Sequence, residues 1–389
     1  APRAPGCATA PQAAQLRGQG VRDAQAAGDA ADEYVVFDAA ATKGRRVVAL
    51  VLRAGDAQPA LVDLGDGQAL SGALKDYRRR AGLDREPAPS PGPGSFHDVL
   101  WKPLVPALGG ARRVYLAADD VLNQVAWSAV VADGNTLLIE QWDLRLLSST
   151  RELAVPPPPA DGARTAVLAG DIDFGASKDG HETFAPLPGT REEVSALARL
   201  MRDASWQVTT LEGRDATEAR LKSLRQPPRV LHIASHGFFE RIGTREGTPD
   251  DPMLRSGLAL AGANAPPGAG GEDGVLTALE ASMLALGGTE LVVLSACETG
   301  LGQIRESEGV FGLRRAFEQA GAQSVVMSLW KVPDEQTRVL MTLFYARWLA
   351  GMDKHQALRE AQLELRRQVI RDWGRDRPQL WAAFIVVGR

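Results

Sequence analysis

The second half of this 389-residue chain predicts an α/β protein built on a largely parallel sheet. Three observations carry that expectation. Short apolar runs (TAVLAG, VLHIAS, LVVLSAC and SVVMS) recur there, and each is long enough for a buried strand and too short for a helix. Amphipathic helical patterns separate most of them, and strands alternating with helices call for parallel pairing and a sheet covered on both faces. Finally, PPPP at 156–159 breaks any regular element and divides the chain into two domains.

Composition narrows the function classes. Hydrophobic residues make up 44% and charged residues 24%, a globular balance, and a net charge of −4 gives no footprint for direct nucleic-acid binding. No apolar run reaches the length of a membrane span. Cys7 and Cys297 are the two cysteines, which excludes a disulfide framework and fits a reducing, cytoplasmic location. Cys7 lies in an Ala/Gln/Gly-rich start, residues 1–30, which reads as a tail or the remnant of an upstream helical region.

In chain order, EYVVFD (33–38), RRVVALVLRAG (45–55) and PALVDLG (59–65) form an antiparallel meander. A helix follows over about 70–80, then the Pro/Gly loop EPAPSPGPGS, and a helix is expected over 96–108. RRVYLAADD is a strand, and VLNQVAWSAV with LLIEQWDLRLLSS completes the first half, 31–155. In the second half, 161–389, ARTAVLAG is a strand, and Thr190 with Glu193 three residues on spells a capping box for the next helix. WQVTTLEG, the helix ATEARLKSLRQ and PRVLHIASHG follow. GLALAG reads as half of a hairpin, NAPPGAGGEDG as a loose loop, and Thr277 as the cap of a helix running to Leu286. After LVVLSAC come a helix over 308–320 stopped by Gly321, the strand SVVMSLW, helices over about 335–350 and 354–371, and the closing strand WAAFIVVG.

Ligand sites in such sheets form beyond the C-terminal ends of strands. His236 ends one buried run and Cys297 ends the next, so parallel neighbouring strands would bring an imidazole to a thiol. The imidazole can take the thiol proton and later protonate a leaving amine. Gly237 allows close backbone approach, and its N–H with that of Cys297 suits an oxyanion hole. The plain alternative is a buried strand-end thiol. His232 shares a strand face with His236, and a hydrogen-bonded core or supporting role suits it better than metal ligation. His97, His181 and His355 read as surface residues. No phosphate loop, dinucleotide fingerprint or CxxC is present, so no cofactor and no metal site is expected.

VLHIASHGFF, SGLALAG, LTALEASMLAL, LVVLSACETGLG, EGVFGLRRAFEQAGAQSVVMSLWKVPDEQT and WAAFIVVG together resemble the CHAT domain family of caspase-like, separase-related cysteine proteases. DDVLNQVAWSAV, LLSSTREL and LPGTREEV upstream match as well, and the resemblance runs over about residues 31–389. It implies an α/β/α caspase-like sandwich preceded by an inactive pseudo-protease half. It also implies a Cys297/His236 endopeptidase with Gly237 in the oxyanion hole, regulated and acting in bacterial defence or cell death. AWSAV departs from the family's usual Pro-Phe-like pair. The residue before the cut would meet SLWKVPDEQT: Asp334 matches the acid of a WxVxD pattern that begins at Trp330 and would pair with Arg or Lys, while Lys331 would favour an acidic residue. Asp334 also suits a plain helix cap, and Glu298 either shapes the pocket or faces solvent. The partners implied are a protein or peptide substrate and an upstream TPR-type region or a sensor protein. The alternatives are a silent peptide-docking module and a small-molecule amide hydrolase.

Overall fold

The computed structural model describes residues 19–39, 44–84, 94–133, 136–155, 163–176, 184–239, 251–265, 272–297 and 308–389. The chain divides into two compact units, one of Ala1–Asp119, Val130–Pro157 and Gly388–Arg389, the other of Asp120–Ala129 and Pro158–Val387.

The first unit holds β1 (Asp29–Ala39), β2 (Gly44–Arg53), β3 (Ala60–Asp66), β4 (Arg113–Ala117), the small ribbon β5 (Val131–Asp133) and β6 (Thr136–Leu137), and β7 (Asp143–Leu147). β1, β2 and β3 form the antiparallel meander, and β4 and β7 extend it in parallel from the other edge of β1. β1 starts at Asp29, before the EYVVFD run, because Ala30 and Ala31 are buried despite their weak strand signal. The expected helix over 96–108 is broken into Phe96–Leu100, a 3₁₀ turn at Lys102–Leu104, and Val105–Leu108. Pro103 and Pro106 account for the breaks, since each removes a donor that a continuous helix needs. LLIEQWDLRLLSS likewise splits into the end of β6, a short helix (Leu138–Gln141) and β7.

The second unit holds β8 (Thr165–Ile172), β9 (Gln207–Gly213), β10 (Val230–Phe239), β11 (Ser256–Ala259), β12 (Val275–Thr277), β13 (Leu291–Cys297), β14 (Ser324–Ser328) and all but the last residue of β15 (Phe384–Gly388). The order β9–β8–β10–β13–β14–β15 is parallel across every pair from β9 to β14. Burial of these strands on both faces explains their continuous apolar runs. β10 reaches beyond β8 and, over Gly237–Phe239, pairs antiparallel with β11, which continues to β12. One face of β10 is covered by the helices Gly189–Asp203 and Asp334–Leu349, which pack on each other. Residues Asp120–Ala129, read from sequence as part of the first half, belong to this unit: buried Arg314 donates through Nη1 to Asn123 Oδ1 at 3.1 Å.

Candidate active site

β10 and β13 run in register from Val230 opposite Leu291 to His236 opposite Cys297. Alternation along each strand therefore puts His232, Ala234 and His236 on one face with Val293 and Ser295. His236 and Cys297 close the paired segment together, on neighbouring strands about 4.8 Å apart.

The His236 ring is fixed from two sides. Its centroid lies 5.2 Å from that of Phe174 and 5.6 Å from that of Phe184. Its Nε2 lies 2.7 Å from the backbone oxygen of Ala185. A carbonyl only accepts, so Nε2 carries the proton and the neutral ring keeps Nδ1 as its basic nitrogen. Among the described residues Nδ1 has no hydrogen-bond partner.

Asn264 holds the two aromatic segments in place. Its Oδ1 accepts from Phe184 N–H at 2.9 Å, its Nδ2 donates to Phe184 O at 2.8 Å and Gly175 O at 3.2 Å, and its own N–H donates to Phe174 O at 2.8 Å. Sequence reasoning passed over Asn264, Phe174, Phe184 and the Ala185 carbonyl. An Asn at the head of NAPPGAGG, able to bridge backbone groups in both directions, was the available signal.

Beneath the pair lies a buried polar floor. His232, at 0% exposure, meets the Tyr345 hydroxyl through Nδ1 at 3.2 Å and Glu193 Oε1 through Nε2 at 3.1 Å. Ser295 donates to the other Glu193 oxygen at 3.1 Å. Burial, with the Glu193 charge adding to it, pushes the Tyr345 phenol well above its ordinary range. His232 is thus the hydrogen-bonded core histidine expected of its strand. The capping box is a correction. The helix starts at Gly189 behind Pro188 with no side-chain cap, and Thr190 Oγ1 instead donates to Leu187 O at 2.7 Å and accepts from Asp171 N–H at 2.8 Å. Glu193 is the only acidic partner His232 finds among the described residues, which draws it inward rather than back to the helix start.

The other residues named from sequence are dispersed. Gly237 is buried and continues β10, in register with Leu258. Trp330 is 4% exposed and donates through Nε1 to Gln379 O at 3.0 Å, so its indole packs inward. Lys331 and Asp334 are exposed in the segment after β14, and neither has a hydrogen-bond or ion-pair partner among the described residues. Asp334 is the first residue of its helix and lies against Gly189, the first residue of the neighbouring one. A Cβ on Gly189 would fall 2.5 Å from Asp334 Oδ2. Two helix N-termini thus converge on that carboxylate, a favourable place for negative charge. Glu298 and His181 lie outside the described residues. His97 is half-buried, and His355, expected at the surface, is 7% exposed because it sits in the first turn of the Lys354–Trp373 helix beside buried Ala357 and Leu358.

Among the described residues no group of three or more His, Cys, Asp or Glu is placed to hold a metal ion, and no helix is long and apolar enough to cross a membrane.

Residues 94–389 match the family described as CHAT domain. Tetratricopeptide repeat protein 28 of Homo sapiens is 24% identical over 336 residues, covering 76% of this chain, and that of Mus musculus is 23% identical over the same length. The chain spans 13% of the length of each of these relatives. Among solved structures, the separase–securin complex of Saccharomyces cerevisiae overlays 96% of this chain and 31% of the matched chain, with a TM-score of 0.53 and 9% identity. The Arg-specific cysteine proteinase gingipain R overlays 82% of this chain and 73% of that one, with a TM-score of 0.46 and 10% identity. The fold shared with separase is the caspase-like α/β sandwich with a mostly parallel sheet.

Proposed function

Because the chain belongs to the CHAT domain family, we propose that it is a cysteine endopeptidase that cuts a protein partner, with Cys297 as nucleophile and His236 as general base. The observation that carries this reading is the register: His236 and Cys297 end adjacent parallel strands opposite one another. The bond from His236 Nε2 to Ala185 O supports it further, because it leaves Nδ1 as the nitrogen able to take a proton.

In the proposed reaction Nδ1 accepts the thiol proton as the sulfur attacks the carbonyl carbon of the scissile peptide. The N–H groups of Gly237 and Cys297 would hold the resulting oxyanion. Collapse of this intermediate breaks the C–N bond, and the imidazolium gives its proton to the departing amine. Water, deprotonated by the same nitrogen, then hydrolyses the thioester and restores the thiol. The Asp334 carboxylate, without a hydrogen-bond or ion-pair partner among the described residues, supports a preference for Arg or Lys before the cut, and Lys331 is the competing determinant. Control by a TPR-type region or a sensor protein, in the cytoplasm, completes the proposal; the tetratricopeptide name of the curated relatives fits it.

A peptide library incubated with the wild-type chain, Cys297→Ala and His236→Ala tests this. Cleavage by wild type should fall by about three orders of magnitude or more in either variant. Equal cleavage by Cys297→Ala would remove the assignment, and binding without cleavage would favour a docking module.

A further inference from the structure

On the far side of His236 from Cys297 lies a groove of about 770 Å³ that the reaction as written does not use. Phe174, Phe184, Pro186, Thr217 and Ala261 line it, beyond the C-terminal ends of β8 and β9. Two ion pairs line it as well: Arg191 Nε to Asp171 Oδ2 at 2.8 Å and Arg214 Nε to Asp173 Oδ2 at 3.0 Å. Asp171 adopts a φ of +50°, rare for a residue with a side chain, and Thr190 Oγ1 holds its N–H in that conformation. Backbone held this way at a cleft is a common companion of a binding role.

The sheet order gives the groove a direction. From one side to the other, the strand ends read β9, β8, β10, β13, β14. That row places the groove first, then His236, then Cys297, then the segment carrying Lys331 and Asp334. The imidazole must protonate the departing amine, so the leaving half of the substrate departs on the His236 side. The acyl half then lies toward β14. From β8 to β14 is three strand spacings, about 14 Å, or roughly four residues of extended chain. A peptide crossing the row therefore puts the residues after the cut over β8 and β9. The first surface those residues meet is the half-buried Phe184 ring beside the imidazole and exposed Pro186, with Phe174, 4% exposed, packed behind Phe184.

We propose that this groove seats the substrate segment that follows the scissile bond, with an apolar side chain against Phe184 and Pro186. The proposal rests on the endopeptidase reading and adds to it the half of the specificity that Asp334 and Lys331 do not supply. The guanidiniums of Arg191 and Arg214, 69% and 91% exposed, stand at the mouth, where a charged residue further along the same segment would pass.

Internally quenched peptides varied at the four positions after the cut test the proposal on the full chain. Wild type should prefer an aromatic or aliphatic residue at the first or second of them by about tenfold over Gly or Asp. Ala261→Trp, which fills the groove, should reduce that ratio to about twofold or less. Arg214→Glu removes the guanidinium from Asp173 and sets a second carboxylate beside it, without changing a buried side chain; it should shift the acidic-over-basic ratio further along by about threefold or more. Cleavage by wild type with no preference after the cut, or preferences that neither variant alters, overturns the proposal while the endopeptidase reading stands. If wild type cleaves none of the peptides, the endopeptidase reading falls and binding to Cys297→Ala, followed by fluorescence anisotropy, decides the groove. An apolar preference that Ala261→Trp removes keeps it as a peptide seat, and no preference overturns it.

Discussion

Replacing Glu193 by Leu removes the carboxylate beneath the His236/Cys297 end of the sheet at nearly constant volume. His232 Nε2 then loses its partner at 3.1 Å, in a side chain at 0% exposure, and the Ser295 hydroxyl loses its acceptor. If His232 is charged, the change strands a buried charge, which costs about 3–5 kcal/mol. If it is neutral, only the Ser295 hydroxyl is orphaned, at about 1–3 kcal/mol, because Nε2 and Oε1 touch without a hydrogen bond. Either route gives a loss of more than about 1 kcal/mol, the ion pair the larger one. Changing His232 as well, in Glu193→Leu/His232→Leu, leaves the apolar pair and the Ser295 and Tyr345 hydroxyls, so the two changes should couple by about 2–3 kcal/mol instead of adding. Native-state hydrogen exchange of the β10 and β13 amides reads this locally, without assuming that both units unfold together. A loss below about 1 kcal/mol for Glu193→Leu, or additivity within about 0.5 kcal/mol, would show that this contact does not support the sheet.

Two further predictions concern titration and selectivity. Burial pulls the Lys354 ammonium from 10.5 down to about 8; Arg229 adds to the fall, and Glu290 and Asp353 oppose it. The folded protein therefore releases this proton at lower pH than the unfolded chain, so stability rises between pH 8 and 10.5 by about 3 kcal/mol at most. Urea unfolding across that window should show wild type gaining on Lys354→Met, and a flat or falling difference would contradict the linkage. Gly189→Ala would put a methyl group 2.3 Å from Asp334 Cβ and 2.5 Å from its Oδ2, so the start of the Asp334 helix must shift and carry the carboxylate with it. The ratio of cleavage after Arg or Lys to cleavage after a neutral residue should drop about as far as in Asp334→Ala; an unchanged ratio in both variants would exclude Asp334 from selectivity.

Chain-local signals announced most of the second unit. Each apolar run became a strand, and Gly321 ends its helix at a φ of +107°, as a C-terminal stop should. Elements failed where a local rule met a competing one. Ala30 and Ala31 have little strand propensity, yet they pack in β1 because the parallel partner β4 buries them. Thr190 and Glu193 have the spacing of a capping box, a pattern that says nothing about a histidine on a strand packed against the helix. Asn264 sits in a stretch whose composition says only loop, and its hydrogen bonds tie together segments 80 and 89 residues away.

The same distinction separates the legible part of the candidate site from the rest. His236 and Cys297 were readable because a strand end is a local event and parallel register then aligns two of them. The groups around them are not strand-end residues: a backbone oxygen at Ala185, two rings flanking the imidazole, and an Asn that bridges loops. Each acts through an atom or orientation that residue type alone does not specify. Alternation along β10 joins the two levels. It places His232 under His236 on one face, so the buried Glu193–His232 contact and the proposed reacting pair share one short piece of sheet. A change in that floor acts on the strand that carries His236, whereas a change in the groove acts on what passes beside it. Glu193→Leu should therefore alter exchange in β10 without altering selectivity after the cut, and Ala261→Trp should do the reverse.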